Sequence, residues 1–392
     1  MKGQQCASDS TSPTGGVDDQ KSSSQQLDKS HDKYMMDSHK MLWHLDRVQA
    51  WKSGGHFSPI HIDAGLSKGC NIKCHYCYGV TQGNFFRQGR ERVFPRDALI
   101  NYMRDAGAMG VRSIALIGEA EPTLNPALYE AINTGKQSGV DMSVGTNGIL
   151  WDTGRDGQSA LESLSWIRFN ISAASDHSYR RIHASKDFDI AKEKIKFSVD
   201  YKHQYGLDLT VGMQMVLTPR DIDEVVPLAK LGRQLNVDYL VIKHCSDTVE
   251  NDLGVFERLG DYEKYRDILL EAESYSTDDY KVIVKWEKIT NCGHRSYDKC
   301  LGAPFLLYSS GDGKLYSCGM FFEGDYSEKY LMGDLVKQSF REIIESDHYW
   351  RMVEKVKSEI DVHQECYANC RTHSINGFLW DLENPPPHKN FV

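Results

Sequence analysis

The chain has no long hydrophobic run, no excess of basic residues and no internal repeat. None of its apolar stretches approaches the length that crosses a bilayer, and its start lacks the basic and then apolar layout of a secretion signal. The 392 residues carry a formal charge of −9, whereas nucleic-acid partners require a basic footprint. These absences predict a cytoplasmic protein that binds neither membranes nor nucleic acids, and the length suggests two domains.

Ten cysteines are many for a chain without an export signal, and disulfides are not expected to explain them. Three of them cluster between residues 70 and 77. Five more lie in the last quarter of the chain, at Cys292, Cys300, Cys318, Cys366 and Cys370. Cys6 and Cys245 stand alone. Two groups with a long stretch between them predict two metal centres in two modules.

The central part of the chain alternates between strand-like and helix-like segments. Six segments are predicted to be strands: 59–64, 113–117, 141–146, 166–172, 207–217 and 239–244. Segments with helical patterning lie between them, for example 96–106 and 190–205. Such alternation implies parallel strands joined by right-handed crossovers. We therefore predict an α/β fold with a partial (β/α)6 TIM-like barrel, whose active site lies at the carboxyl ends of its strands.

Composition changes on both sides of this barrel. Residues 1–40 are rich in Ser, Gln, Asp, Lys and Gly and are predicted to be disordered. After the sixth strand the alternation is lost, with a further strand expected over 281–286. We place the barrel at 41–280 and a small cysteine-containing domain at 281–392.

The first predicted strand is followed by a C-x3-C-x2-C motif formed by Cys70, Cys74 and Cys77. Thiolates are the usual ligands of iron–sulfur clusters, and this spacing lets one loop bind three irons of a four-iron cube while one iron stays open. A structural zinc knuckle completed by His75 is the alternative, although zinc sites usually pair two CxxC-like units. The motif favours the iron–sulfur cluster.

The cysteine loop, with Tyr76 before its last cysteine, resembles the signature of the radical S-adenosylmethionine (SAM) superfamily. The resemblance implies that a [4Fe–4S] cluster binds SAM at its open iron and cleaves it reductively to a 5'-deoxyadenosyl radical. Residues 118–122, Gly-Glu-Ala-Glu-Pro, are similar to the Gly-Gly-Glu-Pro motif of that superfamily, with Glu119 and Ala120 in place of glycines. Glu121 would then receive the amino group of SAM.

Other positions along the barrel extend the resemblance in the same order. Thr146-Asn147-Gly148, at the end of the third strand, resembles the Thr-Asn-Gly turn of the superfamily. The resemblance implies that SAM is contacted by Tyr76, Glu121, Asn147, Asn170, Ser172, Arg180 (or its neighbour Arg181) and Ile242 (with Val241). The polar members would reach the amino group, ribose or carboxylate, and the aliphatic ones would line the adenine pocket.

Four late cysteines suit a second metal centre. Residues 311–313, Gly-Asp-Gly, are a turn signal between the strand-like segments 305–308 and 314–316. Cysteines lie at both ends of this hairpin, and a Cys-x3-Cys pair follows later, which gives four ligands: Cys300, Cys318, Cys366 and Cys370. A zinc ribbon is one interpretation. The arrangement also resembles the SPASM extension of radical SAM enzymes, in its shortened twitch form with one auxiliary [4Fe–4S] cluster, and Cys292 stays unassigned.

Cys245 ends the last predicted strand, where it is expected to face the mouth of the barrel. A thiol there can donate a hydrogen atom to a substrate radical, as in radical epimerases. The alternative is a buried small hydrophobe, the usual fate of an unpaired cysteine. His244, Lys243 and Asp247 are candidates to deprotonate or orient a substrate hydroxyl.

Together these features predict a radical SAM oxidoreductase or epimerase that abstracts hydrogen from a polar small molecule, such as a sugar or aminocyclitol. Its reductant would be an electron donor such as flavodoxin or ferredoxin. An auxiliary cluster suits net oxidation because it can accept or supply an electron. A peptide-modifying radical SAM maturase and a zinc-stabilised binding protein without catalysis are the alternatives.

Overall fold

The computed structural model describes residues 33–77, 92–245, 262–291, 293–322 and 324–391. The strands of these parts are β1 (His61–Ala64), β2 (Ser67–Lys68), β3 (Arg92–Val93), β4 (Ser113–Leu116), β5 (Asp141–Thr146), β6 (Leu164–Asn170), β7 (Thr210–Leu217), β8 (Tyr239–His244), β9 (Lys281–Val284), β10 (Leu306–Ser309), β11 (Lys314–Tyr316) and β12 (Gly333–Asp334). The α-helices are α1 (Leu45–Lys52), α2 (Arg96–Ala108), α3 (Leu128–Gln137), α4 (Arg155–Ser163), α5 (Asp176–His183), α6 (Phe188–Tyr205), α7 (Val225–Gln234), α8 (Arg266–Glu273), α9 (Trp286–Asn291), α10 (Gly324–Lys329), α11 (Phe340–Ile344), α12 (Asp347–Glu359) and α13 (His373–Glu383).

Strands β1, β4, β5, β6, β7 and β8 lie side by side in this order, and each neighbouring pair is parallel. One face of these strands packs on the surrounding helices in a single apolar core, in which Ile114, Val144 and Ile167 lie with Leu99 and Leu128. Parallel pairing with helical crossovers confirms the predicted α/β fold with a partial (β/α)6 barrel.

Local contacts explain where observed strands differ from the predicted ones. The strand predicted to begin at residue 207 begins at 210, because the backbone N–H of Leu207 donates to the carbonyl of Lys202 and Gly206 ends α6 with φ +60°. The strand predicted over 281–286 ends at Val284, because Trp286 opens α9. The sequence pattern therefore predicted both strands correctly but misplaced the start of one and the end of the other.

The later strands continue the barrel sheet. Strand β9 pairs in parallel with β8, and β10 pairs in parallel with β1 on the opposite side. Strands β11 and β12 follow β10 in antiparallel order, and Gly313 takes φ +87° in the predicted hairpin turn. Because the sheet runs across residue 280, the division of the chain there remains a proposal.

Residues 33–40, the described end of the segment predicted to be disordered, contact the barrel instead. The ring of Tyr34 lies 5.4 Å from that of Tyr239, and a carboxylate oxygen of Asp37 accepts the backbone N–H of Glu287 at 2.8 Å. These two contacts order the segment, which composition alone does not reveal. Residues 1–32 lie outside the described residues. No helix in the described parts is both long and apolar enough to cross a membrane.

Candidate functional site

Cys70, Cys74 and Cys77 share one loop after β2, and their thiols are close enough to influence one another electrostatically. Burial and the neighbouring Glu121 raise the pKa of Cys70 to about 12. Burial, followed by Cys77 and Cys70, raises the pKa of Cys74 well above its ordinary value. With pKa values this high, Cys70 and Cys74 stay protonated without a metal, and metal ligation is the process that deprotonates them.

Two neighbouring segments hold this loop through its backbone. The N–H groups of Lys73 and His75 donate to the carbonyls of His183 and Ile182, at the end of α5, at 3.1 and 3.0 Å. On the other side, the N–H of Glu121 donates to the carbonyl of Gly69 at 3.0 Å. The cysteines are therefore presented on a backbone that is anchored on both sides.

Glu121 is 3% exposed, and four donors surround its carboxylate. The hydroxyls of Thr146 and Thr123 and the N–H of Thr123 donate to Oε1 at 2.6, 2.7 and 3.1 Å. The N–H of Asn147 donates to Oε2 at 2.8 Å. Burial raises the pKa of Glu121, and these hydrogen bonds lower it. Since one carboxylate oxygen has about two acceptor sites, Oε2 retains capacity for a donor from a ligand.

Asn147 joins this carboxylate to the cysteine loop. Its side-chain amide donates to Asn71 Oδ1 at 2.7 Å and lies 3.7 Å from the sulfur of Cys70. The structure thus brings together three predicted positions that are far apart in sequence: the loop, the Glu-Pro segment and the Thr-Asn-Gly turn.

Ser172 and Tyr76 support the loop from inside. The hydroxyl of Ser172 donates to the hydroxyl of Tyr76 at 3.1 Å and accepts the N–H of Val216 at 3.0 Å. Ser172 is fully buried and Tyr76 is 8% exposed. Both polar groups are engaged within the protein, so in this arrangement they position the loop, and their predicted contacts with SAM remain predictions.

His183 was not foreseen from the sequence, yet it contacts the cysteine loop directly. Its Nε2 accepts the N–H of Ser172 at 3.0 Å, which assigns the proton to Nδ1. Nδ1 lies 3.0 Å from the sulfur of Cys74 and therefore donates to it. Burial lowers the pKa of His183 to about 3, so the ring is neutral. No local signal marks this residue, because its partner lies 109 positions away.

His75 is bound by an acidic residue. Its Nε2 lies 2.8 Å from Asp221 Oδ2, and Arg181 binds Oδ1 of the same carboxylate at 2.6 Å. Among the described residues, no group of three or more Cys, His, Asp or Glu side chains converges as a single metal ion requires. Because Asp221 binds Nε2 of His75, this nitrogen is not available to complete a zinc knuckle with the three cysteines.

Arg180 points away from these groups. It pairs with Asp176 at 2.8 Å on the exposed side of α5, and both side chains are half exposed. Arg181, the other candidate, is held by Asp221. The structure therefore does not bring Arg180 to the site, because one step along a helix rotates a side chain by about 100°.

Asn170 and Ile242 lie on opposite faces of the barrel sheet. Asn170 Oδ1 accepts the side-chain amide of Gln214 at 3.1 Å on the interior face. Ile242 packs with Leu240 in the core against the helices, while Val241 lies on the other face with Tyr239 and Ile283. Val241, and not Ile242, therefore points into the barrel.

Cys245 and His244 are both buried at the end of β8. The sulfur of Cys245 lies 3.9 Å from the carbonyl oxygen of Tyr76, between two cysteines of the loop. Burial lowers the pKa of His244 to about 3, and neither ring nitrogen has a hydrogen-bond partner among the described residues. Asp247 lies outside the described residues.

The four late cysteines line one cavity. Cys300, Cys318, Cys366 and Cys370 share it with aromatic and aliphatic side chains, including Tyr297, Phe321 and Val356. Burial and then Cys370 raise the pKa of Cys300 to about 12, and burial and the other thiols raise those of Cys318 and Cys366 further. Four partly buried thiols that line one cavity fit a cluster with four protein ligands. Cys292 lies outside the described residues.

Polar groups surround this cavity. The amide of Asn376 lies 3.9 Å from the sulfur of Cys300, and the hydroxyl of Thr372 lies 3.4 Å from that of Cys370. Arg295 donates to the carbonyl of Cys366 at 3.3 Å, and Lys288 to that of Cys370 at 3.4 Å. Donors and cations of this kind stabilise the negative charge that thiolate ligands carry.

Glu119, which replaces a glycine of the family motif, connects the two regions. It is enclosed by protein, and its Oε1 accepts the N–H of Gly311, in the hairpin turn, at 2.9 Å. Its Oε2 is buried without a hydrogen-bond partner. Burial raises the pKa of Glu119 to about 7, although the hydrogen bond from Gly311 lowers it. The replacement thus adds a contact between the predicted SAM loop and the C-terminal hairpin.

Comparison with known proteins identifies the domain around the first cysteines. Residues 66–231 match the Radical SAM superfamily. The chain is 25% identical over 265 residues to GTP 3',8-cyclase of Helicobacter pylori, covering 66% of this chain and 79% of that protein. It is 20% identical over 354 residues to AdoMet-dependent heme synthase of Methanosarcina barkeri, covering 84% and 96% of the two chains.

Solved structures share the fold at lower identity. Streptococcus suis SuiB bound to S-adenosylmethionine superposes with a TM-score of 0.56 at 13% identity, covering 80% of this chain and 72% of SuiB. The protein anSMEcpe, with bound AdoMet and Cp18Cys peptide, superposes with a TM-score of 0.53 at 16% identity, covering 81% and 88%. Residues 66–231 therefore form a radical SAM domain, and the cofactors of that superfamily are a [4Fe–4S] cluster and SAM.

Proposed function

We propose that this enzyme oxidises or epimerises a polar small molecule, and that an auxiliary [4Fe–4S] cluster occupies the cavity of the four late cysteines, in a twitch-type C-terminal domain. The observation that carries the proposal is that four partly buried cysteines line one cavity, whose wall also includes a residue that reaches strand β1. Arg371 lines the cavity and binds Asp63 of β1 with its Nε at 3.0 Å. The second centre therefore adjoins the space in which a substrate would lie.

The residues near the first cysteines take complementary parts in this proposal. Cys70, Cys74 and Cys77 bind three irons, and Glu121 accepts the amino group of SAM at its Oε2. Asn147 orients both Glu121 and the loop. When bound and reduced, the cluster and SAM supply a 5'-deoxyadenosyl radical that abstracts a substrate hydrogen atom. A flavodoxin- or ferredoxin-type donor in the cytoplasm would provide the electron.

Whether Cys245 donates a hydrogen atom determines whether the substrate is epimerised or oxidised. Its sulfur approaches the backbone of Tyr76 and hence the loop where the radical forms. If this thiol gives a hydrogen atom to the substrate radical from the opposite face, the substrate is epimerised. If the radical instead loses one proton from a hydroxyl and one electron, an alcohol becomes a ketone, and the auxiliary cluster supplies a one-electron acceptor.

Modification of a peptide is the second candidate. Among the solved structures with this fold, SuiB is bound to precursor peptide SuiA and anSMEcpe to the Cp18Cys peptide. At identities of 12% and 16%, these structures show only that the fold is shared. Peptide binding is therefore a property of those proteins and is not transferred to this chain. The small-molecule proposal is supported instead by polar side chains on the interior face of the barrel, such as Asn170 and Gln214.

Formation of 5'-deoxyadenosine in the presence of candidate substrates tests the proposal. The reconstituted, dithionite-reduced enzyme is incubated with SAM and separate panels of sugars, aminocyclitols and peptides in D2O. We expect a sugar or aminocyclitol to stimulate 5'-deoxyadenosine release and to yield either a ketone or an epimer with one deuterium from solvent.

The Cys245→Ser variant separates the two products. It should lose the deuterated epimer but keep 5'-deoxyadenosine release if Cys245 donates the hydrogen atom. An unaffected ketone would assign oxidation. Stimulation by peptides alone would overturn the small-molecule proposal and favour the maturase.

A further inference from the structure

Four cationic side chains meet inside the barrel. They are Arg168 of β6, Lys243 of β8, Lys288 of α9 and Arg371 after the last auxiliary cysteine. Burial, followed by the charges of Arg168, Lys288 and Arg371, lowers the pKa of Lys243 to about 7, so these three cations lie within electrostatic reach of Lys243. We call these four residues the cationic cluster.

Only two members of the cationic cluster have acidic side chains as neighbours that can compensate their charge. Arg371 is engaged by Asp63, with its Nε at 3.0 Å from Oδ2 and its terminal nitrogen at 3.2 Å from Oδ1. Lys288 lies near the carboxylates of Asp37 and Glu287. For Arg168 and Lys243, the described residues provide no ion pair within 4 Å, and Asp63, a carboxylate that acts on Arg168, is already bound by Arg371.

The two uncompensated cations, Arg168 and Lys243, are partly buried. Arg168 has a buried Nε without a hydrogen-bond partner, and its terminal nitrogens lie near Tyr239 and Gly145. Lys243 makes no hydrogen bond within the described residues. Burying an unpaired cation is costly, and proteins normally pair such charges. An interior that keeps two of them is built to receive negative charge from outside the chain.

The interior also admits a solute. The side chain of Arg371 is 41% exposed although protein surrounds it, and Arg168 and Lys243 are only partly buried. Solvent therefore reaches these side chains. On β6, Asn170 follows Arg168 by two residues on the same strand face, and Cys245 follows Lys243 by two at the end of β8.

Compensation of an auxiliary cluster is a competing explanation for the cationic cluster. It applies to Lys288, whose amine donates to the carbonyl of Cys370 at 3.4 Å and interacts with the thiol of that residue. It does not apply to Arg168 or Lys243, because no auxiliary cysteine is among the charged neighbours that act on either group. These two residues need another anion.

We propose that Arg168 and Lys243 bind an oxyanion of the substrate, a carboxylate or a phosphate monoester, inside the barrel. The anion would accept hydrogen bonds from the guanidinium and the ammonium, and would hold the substrate below the site of hydrogen abstraction. This inference deepens the proposed function, on which it rests, by adding negative charge to the substrate class. It gives Lys243 a binding role in place of the deprotonation considered from the sequence.

Isothermal titration calorimetry of the reconstituted holoenzyme tests the site. SAM is present at saturation throughout, so that its own carboxylate cannot account for a signal. Inorganic phosphate and acetate are the two probes, and they distinguish a phosphate from a carboxylate ligand. Lys243→Gln should weaken binding of the preferred probe about tenfold or more, because one charge-assisted hydrogen bond is lost.

Lys136→Gln is the matched control, since it removes the same charge from an exposed position on α3. It should leave the affinity for both probes unchanged. Arg168→Gln provides a second variant, expected to weaken the same probe, in case Lys243→Gln does not fold. The iron content of each variant reports whether it has folded and loaded.

The outcomes for the site and for the proposed function are separate. A holoenzyme that binds neither probe, or variants at residues 168 and 243 that bind like the wild type, overturns the anion site. If such a holoenzyme still releases 5'-deoxyadenosine with a neutral sugar, the proposed function stands without the anion site. If the probes bind through Lys243 but no small molecule stimulates 5'-deoxyadenosine release, the anion site stands and the proposed function fails.

Discussion

Replacement of His183 by leucine tests whether the protein adjusts the first cluster through a hydrogen bond to its sulfur ligand. The imidazole donates from Nδ1 to Cys74 at 3.0 Å, and the N–H of Ser172 fixes that tautomer. A donor to a thiolate stabilises the reduced cluster more than the oxidised one, because reduction adds negative charge. His183→Leu should therefore make the cluster harder to reduce.

The expected size of the effect follows from the strength of such bonds. A hydrogen bond to a charged group contributes about 1.5–3 kcal/mol, and roughly half of this is expected to differ between the two redox states. A difference of about 1.4 kcal/mol corresponds to about 59 mV for a one-electron couple. We predict that His183→Leu lowers the reduction potential by about 60 mV.

Redox titration monitored by electron paramagnetic resonance measures this potential. The titration uses protein without SAM and with Cys318 and Cys366 replaced by alanine, so that only the first cluster contributes. His177→Leu is the matched control, because His177 is exposed on the same helix. An unchanged or raised potential in His183→Leu, with four irons retained, would refute the proposed role of the hydrogen bond.

Three further perturbations test neighbouring parts of the account. Glu121→Gln should weaken SAM binding at least tenfold in equilibrium dialysis, because a charged acceptor is lost; unchanged affinity would remove Glu121 from the SAM site. In the folded protein the pKa of Glu119 is raised from 4.5 to about 7. The protonated side chain therefore stabilises the fold fully below pH 4.5, and the free energy of unfolding falls by roughly 3 kcal/mol as the pH rises to 7. Glu119→Gln should flatten the pH dependence of the melting temperature over this range, and an unaltered profile would contradict the assignment. Gly118→Ala should destabilise the fold by about 1–3 kcal/mol, because a Cβ there would lie 2.5 Å from the Cα of Gly65. Gly377→Ala, which meets nothing within 4 Å, is its control, and equal melting temperatures for the two variants would contradict the packing argument.

The sequence predicted the barrel because its signals are local. Short segments such as 113–117 and 239–244 carry strand propensity within about six residues, and the helices between such segments imply parallel pairing. The cysteine spacings were equally local, and so the chain could be related to the radical SAM superfamily before its structure was known. The family match over residues 66–231 confirms this relationship.

Contacts between segments that are distant in sequence could not be predicted from such local patterns. His183 meets Cys74 across 109 positions, and Arg371 reaches Asp63 across 308. Arg180 and Arg181 are equivalent in a sequence, yet a helix turns one toward Asp176 on the surface and the other toward Asp221. Side-chain direction and long-range pairing come from packing, which no periodicity encodes.

The iron content of the anaerobically reconstituted protein tests the central claim most directly. The account predicts about eight irons and eight sulfides per chain, as two four-iron clusters require. Replacement of Cys70, Cys74 and Cys77 by alanine should leave about four irons and abolish 5'-deoxyadenosine formation on reduction with SAM. About four irons in the wild type, falling to none in this variant, would remove the auxiliary cluster from the proposed function. Zinc in place of iron, with no 5'-deoxyadenosine from the wild type, would contradict the account as a whole.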